Sequence, residues 1–250
     1  MPKGPLIGEG RTAEVYAWGD HQILKLYRAG MPNDWVEYEA KVGRMVCEAG
    51  LAAPAIGGII QDGDRLGIIY ERIDGPTLLQ SVAARPWTLF STARRFAELH
   101  AAMHACVKPE LPAQRAALQR AIHSAPRLSA DLQERILQKL AALPDGEAVC
   151  HGDYHPDNIL MSARGLIVID WMSATHGNPV ADVARTTLLF RIATLPASIP
   201  AVQRRLFELV RRLFYAAYLR RYRQLRPVTH EQIEAWQPVL AAAHGFLIKN

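Results

Sequence analysis

The run His151-Gly152-Asp153-Tyr154-His155-Pro156-Asp157-Asn158 places a carboxylate and an amide five residues apart, and an apolar segment downstream of it ends in Ile169-Asp170-Trp171. That spacing lets one tight loop present Asp153 and Asn158 to the same volume. The Asp153 carboxylate can take or orient the proton of a hydroxyl, and the Asn158 amide oxygen is a hard ligand suited to magnesium. Asp170 offers a second, charged oxygen from the end of the following strand. A base with two hard-metal ligands is what phosphoryl transfer from a nucleoside triphosphate requires. Taken singly, each of these residues also reads as an ordinary turn Asp or Asn. His151 and His155 beside Asp153 fall short of a soft-metal site, which needs more nitrogen or sulfur ligands. His151 reads instead as a brace for the loop, Pro156 as the residue fixing its turn and Asp157 as solvent-facing. Asp182, in Gly177-Asn178-Pro179-Val180-Ala181-Asp182, reads as a cap or buttress.

Gly8-Glu9-Gly10-Arg11-Thr12-Ala13-Glu14-Val15 can bring backbone close to phosphates, because Gly8 and Gly10 carry no Cβ. A Gly-x-Gly alone also fits a hairpin turn. Lys25, between Leu24 and Leu26 on the next strand, fits an outward-facing alternate position equally well. The order changes the reading. A Gly-rich loop, a strand lysine and a helix glutamate that holds the lysine on the phosphates recur in that sequence in kinases. Glu39 stands three residues before Val42 and can point inward toward Lys25; Glu37 competes for the role. Lys25 and Glu39 upstream of Asp153, Asn158 and Asp170 make coincidence a poor explanation.

The elements that must position these groups follow from periodicity. Leu6 to Trp18 and Gln22 to Tyr27 predict three β segments, and Asn33 or Asp34 can cap a helix with Trp35, Tyr38, Val42, Met45, Val46 and Ala49 on its apolar face and Gly50 at its end. Ile56 to Ile60 and Leu66 to Ile73 predict a hairpin, completing about five strands with one helix. Asp74-Gly75-Pro76 is the clearest linker. It divides a nucleotide-binding lobe, residues 1–74, from a mainly helical lobe, residues 75–250, that carries the catalytic loop and the substrate site. In the second part Thr88 can cap a helix through Cys106, and Ser129 another through Leu143. A β insertion over Ala148 to Asp170 interrupts the helices, with strands on either side of Ala163-Arg164-Gly165. Helices resume from Val180. The fold class is therefore α+β, with an N-terminal antiparallel sheet.

Half of the 250 residues are apolar, enough for a substantial core. No signal segment and no membrane span is read from the sequence, and the three separated cysteines fit reduced thiols, so a cytoplasmic setting is expected. The net charge of +5 is concentrated between Arg204 and Arg226, where eight arginines face one acid, Glu208. That run reads as the solvated face of a helix with Leu206, Leu209, Val210, Leu213, Phe214 and Ala217 inward, or as an anion-attracting surface. No nucleic-acid motif accompanies it.

At these residues the chain resembles the aminoglycoside phosphotransferase and choline kinase-like family, small-molecule relatives of protein kinases. The resemblance runs from Leu6 to about Arg185 and rests chiefly on His151 to Asn158 followed by Ile169-Asp170-Trp171. It implies a two-lobed protein kinase-like fold and ATP or GTP held between the lobes. It also implies Mg²⁺ on Asn158 and Asp170, Asp153 as the base, and purine contacts from the backbone around Glu71 to Ile73. Met172 stands where many relatives carry an acid. The basic Arg204 to Arg226 helix opposes a polycationic aminoglycoside unless Glu231 and Glu234 line the pocket, so a neutral or weakly charged hydroxyl metabolite is preferred as acceptor. Three alternatives stay open: an aminoglycoside O-phosphotransferase conferring resistance, a protein kinase lacking the usual activation segment, and a nucleotide-binding pseudokinase or scaffold.

Overall fold

Residues 3–196 and 198–245 are described by a computed structural model. The chain divides into two units, one formed by the residues up to Thr77 with Ile159–Met172, the other by Leu78–Asn158 with the residues from Ser173 onward.

In the first unit β1 (Leu6–Glu9), β2 (Ala13–Trp18), β3 (Gln22–Tyr27), β4 (Ile56–Asp62) and β5 (Arg65–Glu71) form an antiparallel sheet in the order β1-β2-β3-β5-β4, with α1 (Asn33–Glu48) packed on β4 and β5. Strand alternation decides which side chains meet α1. Lys25 pairs with Ile68 and Val15, and Tyr27 with Ala13, so Lys25 shares its face with the Ala13, Tyr27, Val36, Ala40 and Ile68 core. The outward placement open to Lys25 in the sequence is thereby excluded. The helix differs from expectation in two ways. Pro32 occupies the N-cap with no side-chain cap bond, and the buried stripe is Val36, Glu39, Ala40, Val42, Gly43 and Val46 while Trp35 and Tyr38 are exposed. The two stripes differ by about one position of phase. Gly43 explains the choice, since its missing Cβ is where Ile56 of β4 seats.

Two further strands, β7 (Ile159–Ser162) and β8 (Gly165–Val168), form the predicted hairpin and belong to this unit. The Asp74-Gly75-Pro76 segment is tied to it. Met161 N–H donates to Pro76 O at 2.9 Å, Thr77 bridges to Leu160, and a Cβ on Gly75, which has φ 144°, would collide with the Met161 carbonyl oxygen.

The second unit holds seven helices among its described residues: α2 (Leu78–Ala84), α3 (Leu89–Met103), α4 (Gln114–His123), α5 (Ala130–Ala142), α6 (Pro179–Ile192), α7 (Ala201–Leu225) and α8 (His230–Ala243). β6 (Ala148–Cys150) pairs antiparallel with β9 (Thr175–Gly177), a three-residue strand that periodicity does not reveal. Ser129 caps α5 as predicted, its hydroxyl accepting from Leu132 N–H at 3.3 Å. Thr88 does not cap α3, because its hydroxyl donates back to Arg85 O. Asn178 caps α6 with Pro179 in the first turn, and all residues from Ala181 to Leu188 are buried. Along α7 the buried residues are Phe214, Tyr218 and Tyr222; of the residues read as inward from the sequence, Phe214 is buried and Val210 and Ala217 are half-buried, while Leu206, Leu209 and Leu213 are exposed. Aromatic contacts with α3 fix that phase: Phe96 lies 5.5 Å from Phe214 and 5.0 Å from Tyr218 between ring centroids.

Gly75→Ala is expected to destabilise the protein by about 2 kcal/mol, since it adds a strained φ to a carbonyl collision. Chemical denaturation measures it, and an unchanged midpoint would show that the hairpin accommodates a side chain there.

Candidate active site

Two clusters of predicted residues form, one in each unit. In the first, Lys25 Nζ donates to Glu39 Oε1 at 2.7 Å and to Asp170 Oδ1 at 3.3 Å. Glu39 is 3% exposed and also accepts from the hydroxyls of Tyr27 and Tyr70, the latter at 2.8 Å. Glu37 is exposed, so Glu39 is the lysine's partner. Burial by itself pushes the Lys25 pKa down, but Glu39 and then Asp170 outweigh it and hold the ammonium above its ordinary value. Lys25 therefore stays charged while 19% exposed. Burial, followed by the Glu39 charge, pushes both tyrosine hydroxyls up, which keeps them as donors.

Asp170 sits just after β8 with φ 63°, the left-handed region, and is the only non-glycine residue with positive φ among those described. Asp tolerates that conformation at a cost of order 1 kcal/mol, and its carboxylate is 47% exposed. Gly8 pairs with Val15, and Gly10 N–H donates to Ala13 O at 2.8 Å. Neither glycine has positive φ, and a Cβ on either would make only ordinary contacts, 3.6 Å to Val15 and 3.5 Å to Ala13. Neither backbone conformation nor crowding within the chain demands a glycine there. Glu71 ends β5, with its side chain on Arg164 at 2.7 Å and on Ala55 N–H at 3.3 Å. The N–H groups of Glu71 and Arg72 donate to Ala55 O and His21 O, and Ile73 follows, half-buried.

In the second unit the loop after β6 brings Asp153 and Asn158 together. Asn158 Nδ2 donates to Asp153 O at 3.0 Å and Oδ2 at 3.4 Å, which turns the other amide atom, Oδ1, away from Asp153. Arg185 Nη2 lies 3.4 Å from Asp153 Oδ1, and His155 Nε2 lies 3.5 Å from Oδ2. Burial works to raise the Asp153 carboxyl, yet His155 and Arg185 hold it below the usual carboxylate range, so it is ionised at neutral pH while 32% exposed. The loop is braced from beneath. His151 Nδ1 accepts from Asp153 N–H, as the sequence suggested, and Gly152, at φ 79°, brings backbone so close to Ser173 that a Cβ would meet its carbonyl oxygen at 2.6 Å.

Asp182 is the buttress, and its partners exceed what the sequence disclosed. It accepts from His151 N–H at 2.7 Å and Gly152 N–H at 2.8 Å, and from His100 and His104 Nε2 at 3.1 and 3.2 Å. The other ring nitrogens meet the hydroxyls of Tyr218 at 2.9 Å and Tyr222 at 2.6 Å. Burial opposes the Asp182 charge, but the two histidine bonds hold its carboxyl well below the usual range. Arg185, three residues on and donating to Gly152 O at 3.2 Å, reaches Asp153 from the same helix. The four-residue spacing of His100 and His104 was the available signal for this network, since it puts both rings on one face of α3.

Each cluster holds its own groups in place: a charged lysine beside an exposed carboxylate in the first unit, and a carboxylate able to accept a proton beside an amide oxygen in the second. Comparison with known proteins bears on that chemistry. The model of the family described as "Phosphotransferase enzyme family" matches residues 3–231. Among solved structures, an aminoglycoside-3'-phosphotransferase of type VIII superposes with a TM-score of 0.65 at 19% identity, over 96% of this chain and 91% of that one. A Streptomyces rimosus aminoglycoside phosphotransferase in complex with ADP and streptomycin gives 0.57 at 16% identity, over 92% and 90%. These likenesses establish the α+β protein kinase-like fold. A stretch of 63 residues, 24% of the chain, is 38% identical to acyl-CoA dehydrogenase family member 11 of Gallus gallus and spans 8% of that protein.

The histidine network gives stability a pH dependence. His100 is pushed down to about 3, first by burial and then by His104. In the unfolded chain it titrates near 6.5, so between about pH 6.5 and 3 the unfolded state binds the extra proton and stability is lost as the pH falls. His244, pushed down to about 4 by burial, acts in the same direction. Asp182 contributes in a lower window, its stabilisation being lost only as the pH falls below the ordinary carboxylate range. The unfolding free energy is expected to decline below pH ~6.5, by up to about 1.4 kcal/mol per pH unit for each such histidine, and to decline less steeply in His100→Gln. An identical slope in the variant, measured by denaturant titration across that range, would remove His100 from the account.

Proposed function

The chain belongs to the phosphotransferase enzyme family, and from that premise we propose that it moves the γ-phosphate of ATP, or GTP, to a hydroxyl of a small molecule, with Asp153 as the base. The observation that carries this reading is the pairing of two preorganised clusters, Lys25-Glu39-Asp170 and Asp153-Asn158, in the chain order that phosphoryl transfer uses.

Lys25, kept cationic and held by Glu39, binds the phosphates. Gly8 and Gly10 leave open the volume of two side chains beside them, and the backbone at Ile73 contacts the purine. ADP in the Streptomyces rimosus relative supports an adenine nucleotide. Residues 1–74 then act as the nucleotide-binding lobe and residues 75–250 as the lobe of the catalytic loop and acceptor, with Ile159–Met172 packed in the first unit and lending it Asp170, in a cytoplasmic setting. The donor set fits Mg²⁺, because Asn158 Oδ1 and the exposed Asp170 carboxylate are hard oxygens and no sulfur or imidazole lies among them. Bound there, the ion would neutralise charge on the phosphates.

The acceptor oxygen forms a bond to the γ-phosphorus while the bond from that phosphorus to the bridging oxygen of the nucleoside diphosphate breaks, and the hydroxyl proton passes to Asp153. A carboxylate held below its usual range is a weak base. It suits a loose transition state, in which the proton leaves late and orienting the hydroxyl matters more than removing its proton early. Arg185 and His155 fix that carboxylate from two sides.

Turnover is expected to require a divalent cation, and Asp153→Asn to lower kcat at least 100-fold while the nucleotide Kd changes less than threefold. Coupled nucleoside diphosphate release and equilibrium nucleotide binding measure the two quantities. Retained turnover in the variant would reject Asp153 as the base, and absence of turnover in the wild type would favour the scaffold alternative.

A further inference from the structure

Within the second unit, a cavity of about 540 Å³ opens beside the catalytic loop. Its walls are almost wholly apolar, contributed by α2, the end of α6 and one face of α7, with Val82, Phe190, Phe207, Val210 and Phe214 among them. The volume is that of a drug-sized ligand site. It adjoins the proposed reacting centre: His155 and Pro156 form part of the wall, and His155 Nε2 lies 3.5 Å from Asp153 Oδ2.

The lining carries little charge of either sign. Asp157 is its one carboxylate, too little negative charge to balance the several amines of an aminoglycoside. Of the eight arginines on the basic stretch only Arg211 reaches the cavity, and its Nη1 is committed to the backbone, donating to Phe190 O and to Arg191 O at 3.0 Å. Glu231 and Glu234, the acids that could have rescued a polycationic acceptor, are absent from the lining, and Glu234 is paired with Arg191 at 2.5 Å. Leu79 and Leu206, 44% and 59% exposed, stand in the wall and leave apolar surface open to solvent.

We propose that this cavity takes the body of an uncharged, hydrophobic alcohol and presents its hydroxyl to Asp153, so that the acceptor is an apolar alcohol rather than an amino sugar or an anionic metabolite. The proposal rests on the phosphotransferase reading for the word acceptor, but what the cavity takes is independent of any chemistry.

The test uses the full-length protein and the 1-alkanols from butanol to decanol, with 1-adamantanemethanol as a compact probe and kanamycin and choline as charged comparisons. Calorimetric titration without nucleotide is expected to show affinity rising about fourfold per added methylene, the transfer free energy of one CH₂ group. With ATP and Mg²⁺, phosphorylation of the alkanols is expected to rise along the same series in kcat/KM. Leu79→Gln and Leu206→Gln alter side chains already in contact with water, so the fold is retained, as an unchanged unfolding midpoint will verify, and both are expected to flatten the series. A flat series in the wild type, or tighter binding and faster turnover of kanamycin or choline, overturns the proposal. Length-dependent binding with alkanols left unphosphorylated while a charged acceptor turns over overturns it as well. Length-dependent binding with no nucleotide turnover on any acceptor instead overturns the phosphotransferase reading and leaves the cavity's preference standing.

Discussion

A carboxylate cut off from water survives in a protein interior only when donors replace its hydration, and Asp182 meets that condition with two backbone N–H groups and two imidazoles. The loop that carries Asp153 and Asn158 depends on it. The same bonds that satisfy Asp182 pin His151 and Gly152, and His151 in turn holds the Asp153 N–H. The requirement extends outward through His100 and His104 to Tyr218 and Tyr222, so α3, α6 and α7 are held in register by one buried charge. Removing a partner from such a network leaves charge unpaired, at a typical cost of about 3–5 kcal/mol.

Four acids of the two clusters and their support sort by exposure. Glu39 and Asp182 are buried, saturated with donors, and position other groups. Asp153 and Asp170 are partly open, each touched by a cation yet accessible. Burial thus separates the acids that hold geometry from those open to solvent. The tyrosines around Glu39 and Asp182 serve the same purpose, as hydroxyls whose ionisation is pushed out of reach donate at every physiological pH.

Much of this was legible in the sequence because it is local. The five strands with one helix among them, the β7–β8 hairpin, the Ser129 cap and the loop carrying Asp153 and Asn158 follow from alternation, turn residues and short spacing. What was hidden depends on contacts between distant segments. The phase of α1 is set by Gly43 against Ile56, and that of α7 by Phe214 and Tyr218 against Phe96, none of which a single helix discloses. Tertiary packing likewise supplied β9, a strand too short to show alternation, and the histidine shell of Asp182, whose members are separated by about eighty residues.

The first unit is discontinuous along the chain, and this bears on how the protein is made. Synthesis delivers the sheet and α1 early, yet Ile159–Met172, which supplies β7, β8 and the Lys25 partner Asp170, leaves the ribosome only after about eighty residues of the second unit have been added. Until then Val168 N–H has not reached Ala52 O, and the Gly75 turn lacks the Met161 backbone it lies against. The nascent N-terminal segment therefore waits, incomplete, on its own distant continuation, and a fragment ending at Thr77 lacks a piece of its own unit.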